Sequence, residues 1–543
     1  MKRIRHIIFI VVLALSWCIS LYAQTTARQL PDVTSTEGRD FYVAWLPNGG
    51  SEPSSRDLKL ELLASSRKDN SVTVEYANGA TQNYIIAAGQ TTLITIDPNS
   101  VYWDPAKDEE EKPLSKGLRV YSNVDEVFTL YSINQMGAAG SFSFDGAHIL
   151  PVEALGTEYM VQTTDGDATA TEFVIMSTKP GVTNVTMSLK VNSRRGSTTD
   201  LNVTLNGPKQ IYIVRSKAPD PDIPNDFIDL SGSTICADQP IAVWSGNQVA
   251  IVPNQDGMNS DHAYDQLLPL NKWGKTFMVP MTAVNTQLNV MRIVAQQGGT
   301  NVSLKRGNNA PTNVTLNSGD THMQRMVQGT NNPNPQNFTY YVSADKPIQV
   351  YLYSSSAGAN TWYDDDGNTR TPSDPSMTII PPLEYLTDTT IFSTYNGGDG
   401  TLTHMVNLIA PTSMTSGIQM DGSPTTGWKA IPANSAYSQI TCEITDGTHT
   451  VTAPQKAFTG YTFGISDGQA YLYTLGYDFT PKEDSLFLLD NDHQYTVRPS
   501  EWKSKYISPT EGGWLLDRVV KSDGTYDLDS IFVCDSTTLT FPI

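Results

Sequence analysis

The chain has 543 residues, with 36 Lys and Arg side chains against 56 Asp and Glu, and its formal net charge is −20. So acidic a protein is repelled by nucleic acid and by anionic membrane surfaces, which excludes functions that depend on binding either. Four cysteines in a chain of this length also exclude a disulfide framework, so a packed core must supply the stability.

The first segment has the three features of a secretory signal peptide. Residues 1–5 are rich in Lys and Arg, residues 7–15 are apolar, and Ala23 precedes Gln24. The apolar run is shorter than the roughly 20 residues that a membrane-spanning helix needs. We expect cleavage after Ala23, a mature net charge of about −23, and a secreted or cell-surface protein without membrane insertion.

The pattern of side chains along the mature chain is that of β-strands. Apolar and polar residues alternate over residues 58–63, 71–76, 202–205 and 349–353. A period of two is typical of strands with one buried face. Pro and Gly interrupt the sequence about every ten residues, as turns between short strands require. The sequence therefore predicts an all-β fold.

A Gly-x-x-aromatic-x-Val frame divides the chain into similar parts. It begins at Gly38, Gly156 and Gly274, with a spacing of 118 residues, and a weaker copy starts near Asp388. We expect four tandem repeats of about 115 residues each. Each of the first three copies ends on a proline that closes an apolar run: Pro151, Pro269 and Pro381.

These landmarks set the predicted domain organisation. Repeats of this length fit β-sandwich modules or pairs of propeller blades. Short connections between the copies favour packed sandwich-like modules, and a β-propeller stays open as the alternative. The predicted boundaries are a signal peptide at 1–23, a linker at 24–37, repeats at 38–155, 156–273, 274–387 and 388–479, and a C-terminal, Ig-like extension at 480–543.

A second motif lies inside two of the copies. Ala237-Asp-Gln-Pro-Ile-Ala-Val243 matches Ala344-Asp-Lys-Pro-Ile-Gln-Val350. Asp and Pro at these positions are typical of a tight turn, so the motif predicts a turn that leads into a buried strand.

With its flanking residues this motif carries a family resemblance. The stretches that carry it are Gly38-Arg-Asp-Phe-Tyr-Val-Ala44, the run from Ile235 to Asn247, and Asp261-His-Ala-Tyr-Asp-Gln-Leu-Leu-Pro269 before Trp273-Gly274. From about residue 38 to residue 479 the chain resembles the N-terminal domain of the IgGFc-binding protein family.

The resemblance implies an extracellular module that works among glycoproteins. It does not imply antibody binding, because the family name describes one animal member. The signal segment, which ends in Tyr22-Ala23-Gln24, is typical of a bacterial protein, and residues 529–541 are similar to a phrase in Ig-like repeats of secreted Bacteroidetes proteins. We therefore expect a bacterial, Bacteroidetes-like secreted member.

Catalytic motifs are absent from the sequence. It contains no Gly-x-Ser-x-Gly elbow, no His-Glu-x-x-His and no phosphate loop. His148 and His262 precede the closing runs of two copies, and two ligands do not make a metal site, so we expect hydrogen-bonded structural histidines there. The sequence predicts no catalytic residue.

An acidic segment is the candidate metal site. Asp364, Asp366 and Asn368 surround a Gly-containing turn and could hold calcium through their oxygens. The segment lacks the distal Glu of an EF-hand loop. The alternative is an exposed turn without a metal, since Asp, Asn and Gly favour turns for conformational reasons.

Aromatic residues beside acidic ones are the candidate ligand-binding site. Trp362 and Tyr363 precede the acidic segment, and Tyr102 and Trp103 precede Asp104. Flat aromatic faces with neighbouring carboxylates suit sugar rings. Trp244, by contrast, alternates with apolar residues, so we expect it in the core.

Three functional hypotheses follow. The first is a non-enzymatic adhesion protein that binds an extracellular glycoprotein or glycan. The second is a structural spacer that contacts other envelope proteins. The third is a glycan-acting enzyme, for which no pair of carboxylates is singled out by its spacing.

Overall fold

The computed structural model describes a long central part of the chain and a few strands after it. The described residues are 35–49, 58–104, 107–138, 141–164, 170–196, 200–217, 228–253, 260–282, 288–327, 334–356, 362–363, 369–370, 373–397, 402–479, 485–489, 494–497, 515–520, 532–535 and 538–540. The predicted signal peptide and the calcium residues Asp364, Asp366 and Asn368 lie outside them.

Strands dominate, and we group them into four units in chain order. Unit 1 contains β1 Asp40–Val43, β2 Leu58–Ser66, β3 Asn70–Tyr76, β4 Thr81–Ile86, β5 Gln90–Ile96, the helical turn α1 Pro98–Val101, β6 Leu114–Ser115, β7 Leu118–Ser122, β8 Thr129–Ala138 and β9 Ser141–Ile149. Unit 2 contains β10 Gly156–Met160, β11 Thr171–Ser177, β12 Val182–Ser188, β13 Asp200–Asn206, β14 Gln210–Arg215, β15 Thr234–Ala250 and β16 Asp261–Gln266.

The other two units and the C-terminal strands follow. Unit 3 contains β17 Gly274–Val279, β18 Leu288–Ala295, β19 Thr300–Arg306, β20 Thr312–Leu316, β21 Thr321–Val327, β22 Tyr340–Ser354, β23 Trp362–Tyr363, β24 Thr369–Arg370 and β25 Ser376–Ile380. Unit 4 contains β26 Thr389–Ser393, β27 Thr403–Pro411, β28 Gln419–Met420, β29 Ser423–Pro424, β30 Lys429–Ala430, β31 Tyr437–Ile444, β32 Thr448–Thr452, β33 Thr459–Ser466 and β34 Gln469–Thr474. Beyond these lie β35 Ser485–Leu489, β36 Gln494–Val497, β37 Leu515–Val520, β38 Phe532–Asp535 and β39 Thr538–Thr540.

Short 3₁₀ turns occur at several junctions. They cover Val152–Ala154, Leu270–Lys272, Pro335–Asn337, Leu383–Tyr385 and Thr412–Gly417. Three of them follow a proline at their N-terminal end and lead into the first strand of the next unit.

The four units share one strand order, with an outer sheet and an inner sheet in each. In unit 1 an outer sheet runs β4-β3-β7-β1 and an inner sheet runs β5-β2-β8-β9. Unit 4 repeats this with β29-β28-β32-β26 and β31-β27-β33-β34. In units 2 and 3 one long strand, β15 or β22, serves both sheets, its N-terminal half in the outer sheet and its C-terminal half in the inner sheet. All pairings are antiparallel, and the predicted all-β class is confirmed.

The last strands of the four units meet at the centre of the molecule. We call β9, β16, β25 and β34 the inner strands. Each contacts the next around a closed ring, and β34 contacts β9. The arrangement is that of a four-bladed propeller, which the sequence leaves open as the alternative to packed sandwich-like modules.

The hydrophobic cores each join neighbouring units of the ring. One core joins units 1 and 2 and reaches Tyr351 and Tyr353 of unit 3. A second joins unit 3 to unit 4, and a third joins unit 4 to unit 1. The ring is also closed by the chain itself, because the Thr36 amide donates to the Tyr477 carbonyl at 3.0 Å. Burial of apolar surface between units therefore stabilises the ring as a whole.

The glycine of the repeat frame has a steric role. A Cβ added at Gly38 would lie 2.2 Å from the Cβ of Pro151, and one at Gly156 would lie 2.6 Å from the Cβ of Pro269. At Gly274 the corresponding distance is 2.3 Å to the Cβ of Pro382, which follows Pro381 and takes the place of the closing proline in unit 3. Carbon atoms cannot approach this closely, so each first strand needs glycine where the closing proline of its unit packs.

The Ala-Asp-x-Pro-Ile motif is not the turn that the sequence predicted. Residues 237–243 lie inside β15, where the register shifts between the pairs Gly156↔Ile241 and Glu158↔Cys236. The motif is therefore a bulge in a continuing strand. Asp238 holds the bulge, because its carboxylate accepts hydrogen bonds from the Asn184 amide at 2.8 Å and the Asn184 side chain at 2.7 Å.

Candidate functional site

Buried carboxyl groups lie on the inner strands. Asp145 of β9, Asp261 and Asp265 of β16, and Asp374 just before β25 are each at most 5% exposed. We call these four residues the inner carboxyl cluster. Carboxyl groups are rarely buried unless hydrogen bonds compensate for the lost water, so each needs a structural explanation.

Asp145 joins three inner strands. Its carboxyl oxygens accept hydrogen bonds from the amides of Gly146 at 2.8 Å, Tyr264 at 3.1 Å and Met377 at 3.0 Å. Tyr264 belongs to β16 and Met377 to β25. One side chain thus satisfies backbone donors of two neighbouring units, and it fixes the position of β9 against both.

Asp265 makes the corresponding hydrogen bond from β16 to the next inner strand, β25. Its carboxyl accepts from the amide of Ile379 at 2.9 Å and from that of Gln266 at 2.8 Å. Burial raises the pKa of Asp265 to about 7, although both amides lower it. Burial also raises the pKa of Asp145 well above its usual range. At neutral pH these groups therefore hold protons to a degree that exposed carboxyls do not.

Asp261 and Asp374 form a carboxyl pair. Their side chains hydrogen-bond to each other, and burial raises the pKa of both groups well above the ordinary value. Two neighbouring carboxylates repel each other when both are charged, which favours the protonated form as burial does.

The two histidines beside these carboxyls are neutral. Burial lowers the pKa of His148 and of His262 to about 3. The side-chain amide of Asn134 lies 3.2 Å from Nε2 of His262, so this nitrogen accepts and the proton sits on Nδ1. The ring of His148 stacks on Tyr131 with a centroid distance of 4.5 Å. Both histidines therefore pack in the interior.

The inner carboxyl cluster holds strands together in the interior. Its members and both histidines are fully or almost fully buried. In the part of the chain that the structure describes, no group of three or more His, Cys, Asp or Glu side chains is arranged to hold a metal ion.

Two of the predicted ligand-binding residues are interior residues. Tyr102 is 6% exposed and Trp103 is 1% exposed. The Tyr102 hydroxyl accepts from the amide of Asn48 at 2.8 Å, and the guanidinium of Arg215 lies over the Trp103 ring at 5.6 Å. Because these rings are enclosed by unit 1 and unit 2, they offer no free face to a sugar. Trp244 is also buried, as predicted.

The other predicted ligand-binding residues are on a hairpin of their own. Trp362 and Tyr363 form β23, which pairs with Thr369 and Arg370 of β24. The hairpin lies between β22 and β25, in a connection that spans residues 355–375. The equivalent connections are residues 139–140 in unit 1, 251–260 in unit 2 and 467–468 in unit 4. Unit 3 therefore carries the longest of the four connections.

The sequence analysis does not predict the buried carboxyl groups of Asp145 and Asp265. Asp145 follows Phe144 and Asp265 follows Tyr264, each shortly before a closing proline, which is a weak signal for a buried acid. What makes them important is the set of amide donors on strands more than 100 residues away, and no local pattern reveals those.

Among the described residues, no helix combines the length and the apolar composition needed to cross a membrane.

Comparison with known families gives a match over most of the ring. A family model described as IgGFc binding protein matches residues 145–464. The human IgGFc-binding protein is 25% identical over 455 residues, which cover 81% of this chain and 7% of that protein. The chain thus spans a small fraction of the length of this curated relative.

Solved structures give only faint likeness. A tetra-tandem repeat from the extending region of a large adhesion protein has 11% identity and a TM-score of 0.09, and the match covers 76% of this chain and 92% of that one. A glycoside hydrolase of family 32 from Bifidobacterium adolescentis has 8% identity and a TM-score of 0.14, with 82% and 98% covered. At these scores the likeness carries no inference about fold or function.

Proposed function

Since this chain belongs to the IgGFc binding protein family, we propose that it is an exported, non-enzymatic protein that binds an extracellular glycoprotein or glycan. The family is one of binding proteins, and the described interior offers no accessible catalytic group. The specific ligand class is our proposal, supported by the aromatic and acidic residues of unit 3 and by the predicted signal peptide at residues 1–23.

The β23–β24 hairpin is the observation that carries this proposal. A connection of 21 residues, 355–375, replaces the two-residue connections of units 1 and 4. Added segments that a rigid scaffold does not need for closure are common places for binding residues. Here the added segment contains Trp362 and Tyr363, with Asp364, Asp366 and Asn368 next in sequence.

These residue types suit a carbohydrate ligand. An aromatic ring stacks on the C–H face of a sugar, and carboxylates accept hydrogen bonds from its hydroxyls. Calcium, if held by Asp364, Asp366 and Asn368, would supply further coordination to hydroxyl oxygens. Other envelope proteins remain further proposed partners, and a bacterial source is part of the same proposal.

The test is binding of the mature chain, residues 24–543, to an array of mucins, free glycans and immunoglobulin Fc, with calcium and with a chelator. We compare the unmodified protein with Trp362→Ala and with the double variant Asp364→Ala/Asp366→Ala. Trp428→Ala is the matched control, because Trp428 is a partly exposed tryptophan of unit 4.

We expect glycan or mucin binding that Trp362→Ala weakens at least tenfold and that Trp428→Ala leaves unchanged. Calcium-dependent binding should disappear in the double variant. Binding that is equal in all variants would place the ligand elsewhere, and binding to Fc alone would replace the glycan in the proposal. Silence across the array would overturn the proposed function.

A further inference from the structure

The outermost strand of each inner sheet has one edge turned away from the sheet. These edge strands are β5, β14, β21 and β31, one in each unit. An unpaired strand edge exposes amide and carbonyl groups that readily pair with another extended chain. How the four edges are covered therefore decides where a partner can add a strand.

Three of the edges have neighbours in the described part of the chain. The edge of β14 pairs with β6, and that of β31 pairs with β30. Beside β5 lies β4, where the Thr92 hydroxyl donates to the Ile85 carbonyl at 2.8 Å. For β21, the described residues include a pairing with β18 and none on the other side.

The cover on β14 shows what such an edge accepts. The amide of Glu111 donates to the Ile213 carbonyl at 3.0 Å, and that of Gly117 donates to the Lys209 carbonyl at 2.9 Å. The covering segment is acidic, and its Glu110 lies 3.3 Å from the guanidinium of Arg215. Within this molecule, then, an acidic extended segment adds to a strand edge that has basic side chains beside it.

The edge strand β21 presents the same features without a described cover. Met323 and Val327 are 42% and 51% exposed, and Arg325 between them is exposed as well. Alternate residues of an antiparallel strand direct their amide and carbonyl groups to the same edge. The Val327 carbonyl accepts from the Arg306 guanidinium at 3.2 Å, so it is directed away from β18. By alternation, the backbone groups of Met323 and Arg325 face the same edge, where the Arg325 carbonyl accepts from the Gln324 side chain at 2.7 Å. An added strand would replace these two side-chain donors with backbone amides.

The charge around β21 is opposite to that of the whole chain. Residues 288–327 contain four basic side chains and one acidic side chain, in a protein whose net charge is −20. The basic residues are Arg292, Lys305, Arg306 and Arg325, and the acidic one is Asp320. Arg292 is buried and paired with Asp229, which leaves three basic side chains against one acidic side chain. This local charge favours an acidic partner and disfavours a second copy of the chain.

We infer that the free edge of β21 binds an acidic, extended peptide segment of a partner protein by strand addition. Backbone hydrogen bonds provide the affinity, Met323 and Val327 contact apolar side chains of the added strand, and Arg325 selects for acidic ones. This surface does not depend on the glycan proposal, because it uses neither Trp362 nor the acidic residues that follow it.

The probe is a labelled peptide with the sequence of residues 108–117, the segment that covers β14. Its neutral counterpart carries Gln in place of Glu109 and Glu110, so that Asp108 and Glu111 balance Lys112 and Lys116. Fluorescence anisotropy with the mature chain should show binding of the acidic peptide, at least tenfold weaker binding of the neutral one, and a loss of affinity with added salt. Arg325→Glu should weaken binding of the acidic peptide at least tenfold.

Lys346→Glu is the matched control, because this reversal lies in the same unit on β22 and should leave binding within twofold. Equal binding to Arg325→Glu and the unmodified protein would overturn the inference. The variant Asp220→Asn/Asp222→Asn/Asp226→Asn tests the chain's own acidic residues as competitors. Peptide binding that appears only in that variant would assign the edge to the chain itself and also overturn the inference.

Discussion

The inner strands and the edge strands of the same sheets differ in how they satisfy their polar groups. On the inner strands, Asp145 and Asp265 are buried and accept hydrogen bonds from backbone amides of neighbouring units. On the edge strand β21, Met323 and Val327 are exposed and the backbone edge has no described strand partner. The centre of the molecule thus holds the ring together, whereas apolar side chains at its periphery are left exposed.

Replacing Asp145 by Ala tests the centre most severely. The change leaves the amides of Gly146, Tyr264 and Met377 without their acceptor, and each buried unsatisfied donor costs about 1–3 kcal/mol. We expect a loss of roughly 3–5 kcal/mol in the free energy of unfolding, measured by urea denaturation. Asp145→Asn keeps one acceptor oxygen and should lose less. Equal stability of the Ala variant and the unmodified chain would refute the bridging role.

Asp265 makes the stability of the folded protein fall as the pH rises. Its pKa is raised from the ordinary 3.8 to about 7 in the folded protein, because burial disfavours the charged form. Its stabilising contribution is therefore complete below pH 4 and is lost as the pH rises towards 7. One group shifted by about three pKa units changes stability by roughly 4 kcal/mol over that range.

Asp265→Asn removes this titration while it keeps an acceptor for the Ile379 amide. The stability of the variant relative to the unmodified chain should rise between pH 4 and pH 7 and level off above pH 7. Thermal unfolding across that pH range, with both proteins in the same buffers, measures the difference. A constant difference would mean that Asp265 ionises normally in the folded state.

Gly274 tests the contact between a first strand and the closing proline. An Ala side chain would place its Cβ 2.3 Å from the Cβ of Pro382, so the proline or the strand must move. We expect Gly274→Ala to cost about 1–3 kcal/mol, the usual penalty for overpacking. Gly298→Ala is the control, because nothing lies within 4 Å of its added Cβ. If both variants unfold at the same temperature, the contact has no energetic weight.

The sequence predicted local structure well and long-range structure poorly. Alternation over residues 58–63 and 349–353 correctly places strands, which are β2 and the C-terminal end of β22. Asp238 and Pro240 predict a turn where the strand continues, because Asn184, which holds the bulge, lies 54 positions away. Boundaries of the four predicted repeats and the Ig-like extension stay predictions.

The candidate ligand-binding residues show the same contrast between local and long-range prediction. Tyr102 and Trp103 were predicted as surface residues from their polar neighbours in sequence, yet Arg215 of unit 2 encloses Trp103 from more than 100 positions away. The β23 residues Trp362 and Tyr363 stay predicted ligand contacts. No local pattern could show that unit 3 would carry a hairpin between β22 and β25.

The smallest expected effect concerns the periphery, where adjacent residues of β21 separate stability from binding. Val327 is 51% exposed and Met326 is fully buried in the core between units 3 and 4. Val327→Thr keeps the β-branched shape and should change the free energy of unfolding by less than about 0.5 kcal/mol. Met326→Thr should cost roughly 2–4 kcal/mol, because it removes buried apolar atoms and buries a hydroxyl. Comparable losses in the two variants, by thermal unfolding, would show that this edge is covered in the folded protein and is not a free surface.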